Sequence, residues 1–316
     1  MKTVLAKALK SDIAPDSFPH IIVHDALDKE ICNQLIEEFP PLSVLTRGKP
    51  YGSNQLFAYS AANALKSSAV GALWKEFVQA HTSQDFLRQV LSLFQESILA
   101  LFPSFEREVG SLTSLKAGIR HLDTFETADV LLDARICVNT PVKDRPTSVR
   151  GGHLDGPQKL FTGLLYLRHP EDRSTGGDLE IYRYRTDKPG FKKHNVDRSH
   201  LDTIRTIPYE KNSLVFFVNS PNSLHGVSIR DCTPWPRQFI TLFGELRQPL
   251  FSLDRYQGAG GASVLRRVWD RIRQALCTPV TRAVAREATP QTRQPDETAQ
   301  HYDRQQPAYH TGGIEL

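Results

Sequence analysis

The sequence has few of the features that mark specialised protein classes. No apolar run approaches the roughly 20 residues that span a bilayer, so we predict no transmembrane segment. The four cysteines stand far apart, without a CxxC pair or the dense spacing of a disulfide scaffold. The first 15 residues contain lysines but no continuous apolar stretch, so we expect no signal peptide and a cytoplasmic location.

The excess of positive over negative charge is also small. The net charge is only +4, which gives no reason to expect binding to nucleic acid. The chain has 316 residues, of which 40% are hydrophobic and 23% charged, as in ordinary soluble globular proteins. This length suffices for one large domain or two small ones with a sizeable core.

The chain divides into three parts by the texture of its sequence. Residues 1–115 predict a short strand at 20–24 and then mainly helices that pack on the next part. Asp28 and Ser83 stand where helix N-caps are expected, and a further helix is predicted over residues 69–80.

Residues 116–250 contain short apolar or β-branched runs separated by turn signals. This pattern predicts a sandwich or barrel of antiparallel strands. The runs that we interpret as strands are 135–138, 161–167, 179–182, 214–218 and 239–243.

Residues 251–316 predict a basic helix followed by a polar tail that we expect to be disordered. The helix would carry an apolar stripe beside Arg266, Arg267, Arg271 and Arg273. Such a helix usually packs its stripe on its own domain, and peripheral contact with an anionic membrane is the less favoured alternative.

A His-x-Asp tripeptide indicates possible metal chemistry. Because alternate residues of a strand share one face, His153 and Asp155 could direct an imidazole and a carboxylate at one point. Two histidines and one carboxylate are the ligand set of non-haem Fe(II) oxygenases. The same tripeptide also occurs at residues 121–123 and 200–202, so the pattern alone is weak.

His225 is the best candidate for the third ligand. It follows the strongly apolar run 214–218 and begins another short strand. The His200 pair lies too close to it in sequence to leave room for strands between ligands. The His121 pair is the true rival, but it lacks both the glycine turn before His153 and the long apolar strand after it.

Arg237 is the candidate anchor for an organic acid. It comes twelve residues after His225, and we expect a hairpin to bring its side chain back beside that histidine. A guanidinium can bind a carboxylate such as the distal one of 2-oxoglutarate through two parallel hydrogen bonds. Arg230 remains an alternative anchor.

Taken in order, these motifs resemble the Fe(II)/2-oxoglutarate-dependent oxygenase superfamily, in its prolyl-hydroxylase-like branch. The resemblance covers about residues 115–247. The motifs that carry it are His153-x-Asp155, Leu165-Tyr166-Leu167, Gly176-Gly177-Asp178-Leu179, Leu224-His225-x-Val227 and Arg237.

The resemblance implies a double-stranded β-helix (jelly-roll) within an α+β chain. It implies that Fe(II) is held by His153, Asp155 and His225, and that 2-oxoglutarate is held by Arg237 and Tyr166. With O2, such an enzyme hydroxylates or otherwise oxidises a C–H bond and releases succinate and CO2. Related halogenases replace the carboxylate ligand with a small residue, so the presence of Asp155 favours oxidation over halogenation.

Substrate contacts are less well defined. Candidates are Arg135, Asn139, Lys159, Thr162 and Asn219. We expect a small molecule or biosynthetic intermediate as substrate rather than a protein. Two other functions remain open: a cupin-like metalloenzyme that does not use 2-oxoglutarate, and a non-catalytic binding module of the same fold.

Overall fold

The computed structural model describes residues 1–14, 17–185, 191–192 and 194–252, with only the backbone described at 191–192. The predicted basic helix and polar tail lie outside these residues. Among the helices that are described, none is both long and apolar enough to cross a membrane.

The first 115 residues form mainly helices, with local signals at their starts. Asp28 is the N-cap residue of α1, as predicted, and Ser83 caps α5 by accepting a hydrogen bond from the Phe86 amide. The helices are α1 (Lys29–Glu37), α2 (Leu42–Leu45), α3 (Ala61–Lys66), α4 (Ala72–His81), α5 (Gln84–Leu101) and α6 (Phe105–Glu108).

The strands carry the apolar runs identified in the sequence. All five predicted strands of the central part are present, most of them a few residues longer than predicted. The strands are β1 (His20–Val23), β2 (Leu56–Tyr59), β3 (Ala117–Ile119), β4 (Val130–Asn139), β5 (Lys159–Tyr166), β6 (Leu179–Tyr184), β7 (Phe191–Lys192), β8 (Asn195–Val196), β9 (Leu201–Ile207), β10 (Ser213–Val218), β11 (His225–Val227) and β12 (Arg237–Leu246).

These strands form one large sheet, one small sheet and a two-stranded pair of β7 with β8. The large sheet has the order β1-β10-β5-β12-β4-β2, with β3 added in parallel to β4, and the small sheet has the order β11-β6-β9. All pairs on the main path of the large sheet are antiparallel. This mixed architecture with a large sheet is consistent with the predicted jelly-roll.

The large sheet is buried on both faces. All ten residues of β4 are buried, and its even-numbered residues belong to the same core as Phe86 and Phe94 of α5. The ring of Phe216 on β10 stacks on Phe94 at 5.7 Å and on Phe161 at 5.2 Å between centroids. Burial on both faces explains why the strands read as continuous apolar runs rather than as alternating patterns.

The opposite face of the large sheet lines the interior that it shares with the small sheet. Tyr166, Phe217 and Phe239 of the large sheet pack there with Leu179 and Ile181 of β6. Because strand residues alternate between faces, polar side chains two or four positions from these residues point into the same interior. The candidate site lies in this space.

Two turns predicted from the sequence, one before β6 and one between His225 and Arg237, differ in how well the structure matches them. The turn before β6 needs Gly176 and Gly177 at positive φ, +73° and +76°, as predicted, and a side chain at Gly176 would collide with the Ile229 carbonyl. The hairpin predicted between His225 and Arg237 is wrong. β11 pairs with β6 and β12 pairs with β4 and β5, so the two residues lie on different sheets.

His81 links the N-terminal segment to the helical layer, and its environment predicts how the stability of the fold depends on pH. Its Nδ1 donates to the Phe77 carbonyl at 2.7 Å, its Nε2 accepts from the Val4 amide at 2.9 Å, and the side chain is fully buried. Burial lowers the pKa of His81 to about 4. When the pKa of a histidine is lower in the folded than in the unfolded state, its contribution to stability is complete at pH values above the unfolded-state pKa, near 6.5. This contribution is lost as the pH falls from 6.5 towards 4.

We therefore expect the wild type to lose about 3 kcal/mol more unfolding free energy between pH 7 and pH 4 than the variant His81→Gln. Urea denaturation at several pH values measures the difference. Glutamine keeps an acceptor for the Val4 amide but does not titrate. Parallel pH profiles for the two proteins would contradict the assignment to His81.

Candidate metal centre

His153 and His225 are brought together by a backbone bridge. The His153 amide donates to the His225 carbonyl at 2.9 Å, and the His225 amide donates to the His153 carbonyl at 3.1 Å. The segment around His153 thus extends the small sheet beyond β11. Residues paired in this way place their side chains on the same face, and the two imidazole centroids lie 4.3 Å apart.

Both imidazoles are held in the same tautomer. The Nδ1 of His153 lies 2.9 Å from the Gly151 carbonyl, and the Nδ1 of His225 lies 2.9 Å from the Ser223 carbonyl. A carbonyl only accepts, so each Nδ1 carries the proton and each Nε2 keeps its lone pair. Burial lowers the pKa of both histidines, which favours the neutral form that binds metals.

Asp155 completes the group. Its Oδ2 accepts a hydrogen bond from the Thr162 hydroxyl at 2.6 Å, and its Oδ1 lies 3.4 Å from the Lys159 ammonium. Burial acts to raise the pKa of Asp155, but Lys159, the two histidines and the Thr162 hydroxyl outweigh it and hold that pKa well below its usual range. The carboxylate is therefore ionised and oriented.

The three side chains fit a metal ion. One ligand atom from each of His153, Asp155 and His225 lies within 4.8 Å of the others. Two imidazoles and one carboxylate suit non-haem Fe(II) and leave positions open for co-substrates. In the described part of the chain no other group of three His, Cys, Asp or Glu side chains meets this condition.

The two rival His-x-Asp tripeptides lie elsewhere. His121 is an exposed turn residue with φ of +68°, and the Asp123 side chain accepts from the Ile119 amide in that turn. His200 ends a short helical turn, and Asp202 pairs with Arg185 at 2.9 Å. Neither pair belongs to the group around His225.

A second group of polar side chains lies at the start of β12. Arg237 is buried; its Nε donates to the Gly177 carbonyl at 2.7 Å, and its Nη1 lies 3.4 Å from Oδ1 of Asn139. The guanidinium lies 4.9 Å from the ring centroid of Tyr166 and 4.9 Å from that of Tyr209. No carboxylate of the described residues forms an ion pair with Arg237. We call Arg237, Tyr166 and Asn139 the anchor cluster.

Two buried donors of the anchor cluster lack partners. The Tyr166 hydroxyl and the Asn139 Nδ2 make no hydrogen bond of normal geometry with any described residue. Burial raises the pKa of Tyr166, so the hydroxyl remains a donor. The neighbouring Tyr209 differs, since its hydroxyl both donates to and accepts from the Gln238 backbone. A buried guanidinium with unpaired hydrogen-bond donors beside it is suited to bind a carboxylate ligand.

Arg230, the alternative anchor, has a different environment. Its Nη2 lies 2.6 Å from Asp172, and both side chains are almost fully buried. Its Nε donates to the Ser174 hydroxyl at 3.1 Å. This arginine is already neutralised by a carboxylate of the chain, so the arrangement favours Arg237 as the residue free to bind an acid.

The candidate substrate residues have distinct environments. Thr162 and Lys159 contact Asp155, and Asn139 belongs to the anchor cluster. Arg135 forms an ion pair with buried Asp133 at 2.9 Å. The Asn219 side chain donates to the carbonyls of Gly156 and Lys159, so it supports the backbone between Asp155 and β5.

Sequence reasoning missed two residues near the candidate metal ligands. Arg150, three positions before His153, is close enough to lower the pKa of His153, His225 and His194 and to be influenced by Asp155. The His194 backbone carbonyl accepts a hydrogen bond from the Leu154 amide at 2.9 Å, and the buried His194 Nδ1 has no partner among the described residues. The position of Arg150 close to a His-x-Asp tripeptide could have identified it from the sequence. His194 is brought near the site by backbone pairing between distant segments, which the sequence does not reveal.

The Thr162 hydroxyl gives a prediction for the metal centre. Thr162→Val removes one hydrogen bond to Asp155 and keeps the β-branched shape, so we expect metal affinity to fall roughly 10-fold to 100-fold. Titration with Mn(II), followed by electron paramagnetic resonance, measures the change. Thr241→Val, on the same interior face of the neighbouring strand, is the matched control. Equal affinity in wild type and Thr162→Val would contradict a role in orienting the ligand.

Comparisons of sequence find no family model and no curated protein that matches the chain. Comparison of structures does find similar proteins. A prolyl-4-hydroxylase from Pseudomonas putida shares 10% identity, over 76% of this chain and 98% of that one, with a TM-score of 0.41. A prolyl 4-hydroxylase from Phytophthora capsici shares 14% identity, over 86% and 72%, with a TM-score of 0.42.

The non-haem α-ketoglutarate-dependent epimerase SnoN from nogalamycin biosynthesis shares 15% identity, over 80% of this chain and 87% of that one, with a TM-score of 0.42. Similarity at these levels assigns neither a reaction nor a substrate. Solved structures to which this chain is similar thus include prolyl 4-hydroxylases and a 2-oxoglutarate-dependent epimerase.

Proposed function

We propose that this protein is an Fe(II)- and 2-oxoglutarate-dependent dioxygenase that hydroxylates, or otherwise oxidises, a C–H bond of its substrate. The observation that carries the proposal is the presence of two complementary groups in one interior. The first is the ligand group His153, Asp155 and His225. The second is the anchor cluster, a buried guanidinium with two unpaired donors beside it.

The ligand group would hold iron on one face. The Nε2 atoms of His153 and His225 and one oxygen of Asp155 are the donor atoms, and the backbone and Thr162 fix their directions. Iron and 2-oxoglutarate, when bound, would supply with O2 the oxidising power for a C–H bond, and the co-substrate would leave as succinate and CO2. Since no other His, Cys, Asp or Glu of the described residues joins this group, a bound iron would keep positions open for co-substrates.

The anchor cluster would hold the distal carboxylate of 2-oxoglutarate. Arg237 supplies the charge and two N–H directions, and the Tyr166 hydroxyl supplies a further donor. The rings of Tyr166, Tyr209 and Phe239 surround the guanidinium at 4.8 to 4.9 Å, which excludes water and strengthens the charge-assisted bonds. The carboxylate would also neutralise a buried arginine that has no acidic partner among the described residues.

A cupin-like metalloenzyme would use the same ligand group without 2-oxoglutarate. It gives no reason for a buried arginine with unpaired donors in the same interior. A non-catalytic module gives no reason for either group, because neither is needed to form the core. The anchor cluster therefore favours the oxygenase.

The test is an anaerobic titration of the purified protein with Fe(II) and then 2-oxoglutarate. We expect the weak visible charge-transfer band that arises when a keto acid chelates Fe(II). The band should disappear in His225→Ala and persist in His121→Ala, which alters an exposed histidine of another His-x-Asp tripeptide. Iron binding without the band would favour the cupin-like enzyme, and absence of iron binding would favour the non-catalytic module.

A further inference from the structure

The side of the metal centre away from the anchor cluster is rich in cations. On β12, Arg237 and Phe243 are six residues apart, which corresponds to roughly 20 Å along a strand. Phe243 is paired in register with Thr162, the residue that bonds Asp155. Asp155 is thus close to the surroundings of Phe243, towards the end of β12 that is away from the anchor cluster.

Two of these cations flank the Phe243 ring. The Lys159 ammonium lies 4.5 Å from the ring centroid, and the Arg135 guanidinium lies 4.6 Å from it. Arg135 uses Nε to pair with Asp133, while its two terminal nitrogens make no hydrogen bond with a described residue. The Arg135 side chain is largely buried, and these two nitrogens keep donors that a ligand beside the Phe243 ring could use.

The third cation is Arg150. Its side chain is half-buried, and no described residue forms a hydrogen bond or ion pair with it. Its backbone carbonyl accepts from the Val227 amide at 2.9 Å, two residues after His225, and Arg150 itself lies three residues before His153, so it borders the paired segments that carry both histidines. The Arg150 guanidinium accordingly lowers the pKa of both histidines. We call Arg135, Arg150 and Lys159 the cation cluster.

The charges of this region do not balance once the site is loaded. Asp155 is the only carboxylate within ion-pair distance of Lys159 among the described residues, and iron would share that carboxylate. The two charges of 2-oxoglutarate would be matched by Arg237 and the iron. Lys159 and Arg150 would then remain as buried or half-buried positive charges without a full partner, which is costly unless an anion binds.

We propose that the cation cluster binds an anionic group of the substrate, a carboxylate or a phosphate, and so sets which C–H bond faces the iron. This inference rests on the proposed function and deepens it by naming the substrate class: a small organic acid or phosphorylated compound. Arg150 and Lys159 are the principal contacts, and Arg135 flanks the Phe243 ring together with Lys159.

The test uses the full chain loaded with Mn(II) and 2-oxoglutarate, and two probes, inorganic phosphate and acetate. Nuclear relaxation of the phosphorus or methyl signal by Mn(II) reports binding near the metal without requiring turnover. We expect saturable relaxation with at least one probe. Arg150→Gln and Lys159→Gln should each weaken its binding about tenfold, since each removes one charge-assisted contact.

Arg145→Gln is the matched control, because Arg145 is an exposed arginine of the same segment. A response to phosphate but not acetate identifies a phosphorylated substrate, and the reverse identifies a carboxylate. Equal relaxation in wild type and both variants, or no saturable relaxation, overturns the inference while Mn(II) and 2-oxoglutarate still bind. Failure of the wild type to bind Mn(II) would overturn the proposed function itself, and the inference with it.

Discussion

Asp155→Ala is expected to abolish 2-oxoglutarate turnover and to weaken metal binding by more than the roughly 10-fold to 100-fold that loss of an outer contact causes. The substitution removes the only anionic ligand and leaves two neutral imidazoles. It also leaves Lys159 as a buried cation without its partner, which further repels a divalent ion. Mn(II) titration and the formation of succinate measure the two effects.

The chain provides a control for this substitution in Asp202→Ala. Asp202 belongs to another His-x-Asp tripeptide, is partly exposed and pairs only with arginines at the surface. Its loss should leave metal affinity and succinate formation unchanged. Normal metal binding and turnover in Asp155→Ala would remove the carboxylate from the ligand set and with it the oxygenase proposal.

Arg237→Gln is expected to weaken 2-oxoglutarate binding about 100-fold with little change in metal affinity. Removing one partner of a buried hydrogen-bonded charge pair costs about 2–5 kcal/mol, and every 1.4 kcal/mol corresponds to a tenfold change in affinity. The intensity of the visible band as a function of 2-oxoglutarate concentration gives the dissociation constant. A loss of metal affinity of the same size would indicate a structural rather than a binding role.

Arg230→Gln separates the two candidate arginines. Because Arg230 lies 2.6 Å from buried Asp172, its loss leaves that carboxylate with only Arg168, 3.7 Å away, and Ser174 as partners, and should destabilise the fold by about 1.5–3 kcal/mol. Its effect on the affinity of the folded protein for 2-oxoglutarate should be small. The opposite result, with weak binding in Arg230→Gln and normal binding in Arg237→Gln, would transfer the anchor role to Arg230.

The parts of the fold that sequence could predict are those with strong local signals. The run at 214–218 is apolar at every position and becomes β10, which is buried at every position. Ser83 is a good N-cap and begins α5. In contrast, β2 and α3 were not predicted, because the half-buried residues of β2 have a weak pattern and the strand exists through pairing with β4.

The candidate site divides in the same way. His153 and Asp155 are two residues apart, so local spacing identifies them as a pair. Their proximity to His225 depends on the tertiary fold and is seen only in the structure. The hairpin expected between His225 and Arg237 was wrong because neighbouring segments of this chain enter different sheets. Asn139 was predicted as a candidate substrate contact, but it lies beside Arg237. The register of β12 against β4, which places Arg237 opposite Asn139, determines this proximity and cannot be read from the sequence.

The reciprocal hydrogen bonds between the backbones of His153 and His225 have a consequence for metal removal. Sheet pairing aligns these two proposed ligands, which are 72 positions apart, so we expect the chelating geometry to form before the metal binds. This differs from a zinc finger, which is unfolded without its metal. The apo-protein should remain cooperatively folded in the presence of a chelator, and metal should stabilise it only by mass action, by about 2.7 kcal/mol at a hundred times its dissociation constant.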